Sequence, residues 1–203
     1  MPREMRSLVP LEVAAVIAAA VVSLPVPAAV PLLVIASLSL WLRGRSWTDV
    51  VHGPTSYAAI GAAAGVAALA LALGVSTPLV EALTEQAVQW SMYPVVRGSL
   101  GTALMVAVVV GVSAVAAELV LRGWLVERVL ELGGHRVLAV LVGAIAEALI
   151  SDGDLGMRLG AGVFGIGLGW MYLAGGRSVA APICARLAFS LGAVVLEALR
   201  LVG

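Results

Sequence analysis

Apolar runs over residues 8–24, 57–75 and 100–117 approach or exceed the roughly 18 to 20 residues with which a helix crosses a hydrocarbon core. Lipid offers no partner to an unpaired backbone group, so each crossing must be helical, and proline, glycine and charge mark the breaks between crossings. This pattern predicts seven segments: 8–24, 28–42, 57–75, 99–121, 137–151, 159–174 and 179–201. The first two form a hairpin through Pro25-Val26-Pro27. Segment two is short for a full crossing, which leaves a tilted or re-entrant element as the alternative. Residues 76–97, with Pro78, Glu81, Glu85, Trp90, Tyr93 and Pro94, are the longest polar-containing connection, and their aromatic residues suit the membrane interface. The expected fold is an all-α, polytopic transmembrane helix bundle of about seven membrane segments. It is expected to form a single integral membrane domain over residues 1–203.

Composition narrows the class further. Hydrophobic residues make up 62% of the chain and charged residues 12%, against about 25% charged in a soluble domain. A water-soluble globule is excluded. The net charge is zero, all twelve basic residues are arginine, and no basic run is long enough for a nucleic acid. The expected partners are therefore the lipid bilayer and a membrane-protein or lipidated-peptide partner. Cys184, the one cysteine, cannot form an internal disulfide and reads as a small buried side chain. Arg3 and Arg6 before an apolar run, with a small-residue stretch near Ala28, imitate a secretory signal peptide, but the six further apolar segments favour an uncleaved first helix. With the N-terminus cytoplasmic, inside connections hold Arg3, Arg6, Arg43, Arg45, Arg128, Arg136 and Arg177, and outside ones hold Arg97, Arg158 and Arg200. That asymmetry predicts a cytoplasmic N-terminus.

Several patterns that resemble chemistry read as packing or caps. Gly160-Ala161-Gly162-Val163-Phe164-Gly165 has dinucleotide-loop spacing but neither follows a strand nor opens a βαβ unit. The pairs Gly61/Gly65, Gly156/Gly160 and Gly165/Gly169 have the spacing that lets helix backbones approach closely. Asp152 and Asp154 flank Gly153 in a short loop and read as solvated caps, since a hard cation needs about six oxygens. His52 and His135 fall in loops without a second ligand, so neither a metal nor a cofactor is expected.

The informative residues are ionisable ones inside apolar helices, where a charge costs on the order of 2.5 to 3.5 kcal/mol even on insertion scales. Four stand out: Glu118, Arg122, Glu147 and Arg186. Glu118 and Arg122 are spaced i,i+4 with the acid first, the order that best forms an intrahelical pair. Glu12 and Glu197 lie near segment ends, where snorkelling or water suffices.

The string Ala116-Ala117-Glu118-Leu119-Val120-Leu121-Arg122-Gly123-Trp124-Leu125 resembles the first motif, EExxxRG with a following aromatic and leucine, of the CPBP family of CAAX-processing and bacteriocin-processing intramembrane proteases. The charged linker from Arg43 to Asp49, the stretch from Pro78 to Thr84, the glycine-rich helix from Gly169 to Arg177 and the Ala181-Pro182-Ile183 that follows are similar to further parts of that family. The resemblance implies a CPBP-like core over about residues 99–203. In the family, three helices present EExxxR, FxxxH and HxxxN to one cavity. A glutamate aided by a histidine is thought to activate water there, while a histidine and an asparagine stabilise the oxyanion, with no metal required.

Carried over residue by residue, the first glutamate falls at Ala117, and Glu118 and Arg122 remain. Glu147 stands at the phenylalanine and Ser151 at the histidine of the second motif, and Arg186 and Ser190 stand at the histidine and asparagine of the third. A guanidinium cannot accept a proton, and a serine without a neighbouring base is a weak nucleophile. The leading reading is a catalytically degenerate pseudoprotease that binds membrane partners. Two alternatives stay open: an active intramembrane peptidase using Glu118 or Glu147 as base with Arg186 holding the oxyanion, and a small transporter or lipid-binding protein. Glu147 and Arg186, an unusual acid and an unusual base in one cavity, are expected to form a buried ion pair. The resemblance places the protein in a bacterial cytoplasmic membrane.

Overall fold

A computed structural model describes residues 9–21, 29–51, 55–85, 93–151 and 155–201. Among these, every long element is a helix. In chain order they are α1 (Val9–Val21), α2 (Ala29–Leu42), α3 (Ala58–Leu71), α4 (Leu100–Glu118), α5 (Arg136–Ile150), α6 (Leu155–Ala174) and α7 (Ala180–Ala198). Each falls on one predicted segment, and the protein is an all-α membrane bundle. The proline hairpin at 25–27, His52, Trp90 and the Asp152-Gly153-Asp154 loop lie outside the described residues.

Two helices run further than the sequence pattern predicts. α3 continues through a π-helical stretch, Ala72–Ser76, into an α-helical Thr77–Thr84. The proline ring of Pro78 would clash with the carbonyl one turn back in a regular α-helix. The wider π turn just before it removes that conflict, and the hydroxyl of Thr77 donates to the Ala72 carbonyl at 2.9 Å. α4 likewise passes through a longer π stretch, Leu119–Val126, into an α-helical Glu127–Glu131. Glu118 and Arg122, beside the predicted end at residue 121, are turned inward. Residues 120–126 are all buried, so α4 is the central strut of the bundle.

Apolar side chains gain little by leaving lipid for protein, so association relies on close backbone packing and on polar contacts. Both are present. α3 lies backbone to backbone on α7: a Cβ on Gly61 would stand 2.1 Å from the carbonyl oxygen of Ala181, and one on Gly65 2.0 Å from that of Ala185. α6 approaches α5 through Gly169, where a Cβ would meet Val140 at 3.0 Å, and Gly165, where it would meet the Cα of Ala144 at 3.1 Å. The third glycine pair differs from its expectation. Residues 156 and 160 are exposed and a Cβ on Gly160 would meet nothing: five residues from Gly165, it lies on a face of α6 turned away from α5.

Core side chains gather around α4. Val16, Leu32, Ala36, Leu40, Val120, Leu121, Leu125 and Ala146 join α1, α2, α4 and α5 in one cluster, and the indole of Trp124 reaches buried Ser39 on α2 at 3.3 Å. Phe164 and Phe189 pack at 5.1 Å between α6 and α7. Four spans, Thr55–Leu79, Leu100–Glu131, Leu155–Ala174 and Ala180–Ala198, are long and apolar enough to cross a membrane. α2 has 14 residues and α5 has 15, about 21 to 23 Å each, shorter than a hydrocarbon core of about 30 Å.

Ion pairs lace the bundle at both ends. At one end Arg43 holds Glu12 (2.6 Å), Arg45 holds Glu131 (3.3 Å) and Arg177 holds Glu127 (3.1 Å). At the other, Arg97 holds Glu197 at 2.5 Å. Glu12 and Glu197 were expected to snorkel; each is instead bound to an arginine from another element, and Glu197 is 1% exposed.

Candidate functional site

Three helices bring the sequence-predicted charges together. The helical period sets Glu118 and Arg122 one above the other on α4, and α5 and α7 turn Glu147 and Arg186 toward them. The result is a closed ring. Nη1 of Arg122 donates to Glu118 Oε1 at 3.2 Å and to Glu147 Oε2 at 2.6 Å, while Nη1 of Arg186 donates to the same two oxygens at 2.7 Å each. Nη2 of Arg186 also donates to Glu147 Oε1. The expected Glu147–Arg186 pair is thus present, and it is half of a larger unit that the i,i+4 pair on α4 completes.

The ring is buried and electrically neutral. Glu118 and Arg122 are fully buried and Glu147 is 1% exposed, while the Arg186 side chain keeps 18%. Two negative and two positive groups in alternation offset much of the cost of taking each out of water. α6 contributes the remaining contact: Nη2 of Arg122 donates to the carbonyl of Gly165 at 3.1 Å. A side chain at residue 165 would crowd this approach, since its Cβ would stand 3.1 Å from that same Nη2 and 3.2 Å from the Glu147 Cβ. Gly165 therefore serves the charged centre as well as helix packing, a role its spacing alone did not reveal. Among the described residues, Glu118 Oε2 and Arg122 Nε are buried without a hydrogen-bond partner.

The other expected positions lie beside the ring. Ala117 is buried and offers only a methyl group. Ser151 caps α5, and both its hydroxyl (2.8 Å) and its N–H (3.2 Å) donate to the carbonyl of Glu147 rather than facing Arg186. Ser190 sits half-buried one turn beyond Arg186, and the ring does not include it. His135 precedes α5, and its carbonyl accepts from the N–H of Ala139. Among the described residues no three His, Cys, Asp or Glu side chains gather as metal ligands.

A second polar cluster was not foreseen. Beyond the π stretch, Glu127 accepts from the hydroxyl of fully buried Tyr172 at 2.9 Å and from Arg177 at 3.1 Å. Arg128, 2% exposed, bonds Glu131 and lies 5.7 Å from the Trp124 ring. A buried tyrosine in an otherwise glycine-rich helix was the sequence signal for it. Glu127 and Arg128, with Arg45, Asp49, Glu131 and Trp124, line a small recess of about 30 Å³ beside Gly123.

The geometry of the ring is that of a clasp. Three of the four carboxylate oxygens accept from guanidinium groups and are thereby closed to a water. Residues 99–192, a little under half of the chain and including all four ring residues, match the family described as type II CAAX prenyl endopeptidase Rce1-like. No curated protein and no solved structure matches the chain. The resemblance to the CPBP family read from the sequence holds over this segment.

Proposed function

We propose that this CAAX-protease-like membrane protein is a pseudoprotease: a bundle that keeps the family's charged centre as a structural clasp and acts by binding a membrane protein or a lipidated peptide. One observation carries the reading. Glu118 and Glu147 are the only retained or replacement bases, and each is bonded by both Arg122 and Arg186 in a site that exposes at most 1% of either carboxylate. Water activation needs a carboxylate free to take a proton and a water beside it. Ala117 and Ser151, at the positions of the family's base and its histidine helper, supply neither. The reading includes one domain over the whole chain, placed in a bacterial cytoplasmic membrane with the N-terminus inside.

Full-length protein in nanodiscs, incubated with prenylated CAAX peptides and with membrane-helix substrates, is expected to leave both uncut. Cleavage abolished in Glu118→Gln would overturn the proposal. It would also establish the second reading, a peptidase with a relocated base, which draws support from the unpartnered Glu118 Oε2 and the partial exposure of Arg186.

A further inference from the structure

The π stretch of α4 stands between the ring and the Glu127 cluster, and its geometry bears on both. In an α-helix residues five apart point about 140° from each other, whereas in a π-helix, with its i→i+5 hydrogen bonds, they share a face. Arg122 and Glu127 are five apart. Both reach α6: Arg122 donates to the carbonyl of Gly165, and Glu127 accepts from Tyr172. Gly165 and Tyr172 are seven residues apart on α6, two turns along one face. A regular α-helix over residues 119–126 would present either Arg122 or Glu127 to α6 and swing the other away.

The far end of this arrangement is held under strain. Arg177, in the turn between α6 and α7, has a left-handed backbone (φ 64°), a conformation that residues with a side chain rarely adopt and that persists where surrounding contacts enforce it. Its guanidinium bond to Glu127 is such a contact. Arg177 is also half-exposed, so it is open to a partner at the membrane surface.

We propose that the π stretch Leu119–Val126 is a coupling device that makes the buried ring and the Glu127–Tyr172–Arg177 latch engage and release together. When Arg177 is drawn away, its turn loses one of the bonds that hold the left-handed residue, Glu127 is left with the Tyr172 hydroxyl as its hold on α6, and the π turns relax toward α-helix. That relaxation turns Arg122 relative to Glu147 and loosens the ring. The coupling is reciprocal, as any equilibrium linkage between two sites must be. It concerns the ring as a structure and holds whether or not the protein cuts peptides.

The test is hydrogen–deuterium exchange on the full chain in nanodiscs. In Arg177→Gly the guanidinium is gone while glycine accepts the left-handed turn, so the fold is retained; Tyr172→Phe, carried alone, removes the other bond to Glu127. In each, exchange over residues 119–126 and 143–150 is expected to rise by about five- to tenfold, in the range of typical coupling between sites. Arg45→Ala, which cuts the neighbouring bond to Glu131, leaves those segments unchanged. Acceleration confined to residues 172–180 in both variants would overturn the proposal, as would an equal rise in Arg45→Ala.

Discussion

Arg122 and Arg186 meet on a single oxygen: Nη1 of each donates to Oε2 of Glu147, at 2.6 and 2.7 Å. Two guanidiniums this close repel unless carboxylates stand between them, so the four charges are one unit and not two pairs. Losing one member leaves an uncompensated buried charge, which costs about 3 to 5 kcal/mol, whereas replacing an oppositely charged pair by apolar or neutral groups is often close to neutral. Arg186→Met alone is therefore expected to lower the Tm of the detergent-purified protein sharply. Adding Glu147→Gln should recover much of the loss, because Glu118 and Arg122 remain as a neutral couple. Additive losses in the double variant would show that the ring is not an energetic unit.

Gly65 packs against the backbone of α7, with no side chain that could give way. A Cβ there would stand 2.0 Å from the carbonyl oxygen of Ala185, so Gly65→Ala must push α3 and α7 apart and is expected to cost about 1 to 3 kcal/mol. Gly167→Ala, where a Cβ meets nothing within 4 Å, is the matched control and should leave thermal stability unchanged. Equal effects at the two sites would mean that the α3–α7 crossing is looser than described.

Asp49 closes the short turn after α2, accepting from the N–H of Ser46 at 2.7 Å and from its hydroxyl at 3.1 Å. These bonds, with Arg45 nearby, hold its carboxyl below the ordinary value of 3.8. A carboxylate whose pKa is depressed by folding stabilises above its unfolded pKa, and that contribution fades as the pH falls through the folded value. Amide protection of residues 46–51 should therefore be constant near neutrality and decline below about pH 4. In Asp49→Asn the decline should be absent. A decline of the same size in that variant would assign it to another group.

The arginine asymmetry predicts that the turn carrying Arg45 and Asp49 faces the cytoplasm. Thr48 is exposed there, so Thr48→Cys in a Cys184→Ala background should react with a membrane-impermeant maleimide only after the cell is opened. Labelling of intact cells would invert the topology without altering the bundle.

The helices were legible because a membrane segment announces itself by length and hydropathy alone, and all seven appear within a few residues of their expected starts. The ring was legible for a related reason: a charge in an apolar helix is conspicuous, and Glu118, Arg122, Glu147 and Arg186 are the ones that converge. Partnerships across the sequence were harder to read. Arg97 and Glu197 are 100 residues apart, and each alone resembles an ordinary interfacial charge. The course of α4 was misjudged because the segment was ended at residue 121 and Arg128 was counted with the connection beyond it, whereas the partners of Arg122, Glu127 and Arg128 lie sideways on α5 and α6 and within the continuation of α4 itself. No period in the sequence signals a π stretch, since its register is set by what Arg122 and Glu127 must reach.

The shortness of α5 has a consequence outside the protein. Val137, Leu138, Leu141 and Ile145 lie exposed along a helix of about 23 Å. At its end Ser151 caps the Glu147 carbonyl with its own hydroxyl and N–H, where a longer helix would continue. Lipid beside this flank must compress to match a hydrophobic height several ångströms below its own, while lipid beside the 32-residue α4 span is under no such demand. The bilayer is therefore expected to be thinnest on one flank of the bundle. Acyl-chain length becomes a variable that acts on one side of the bundle, the side that carries Glu147.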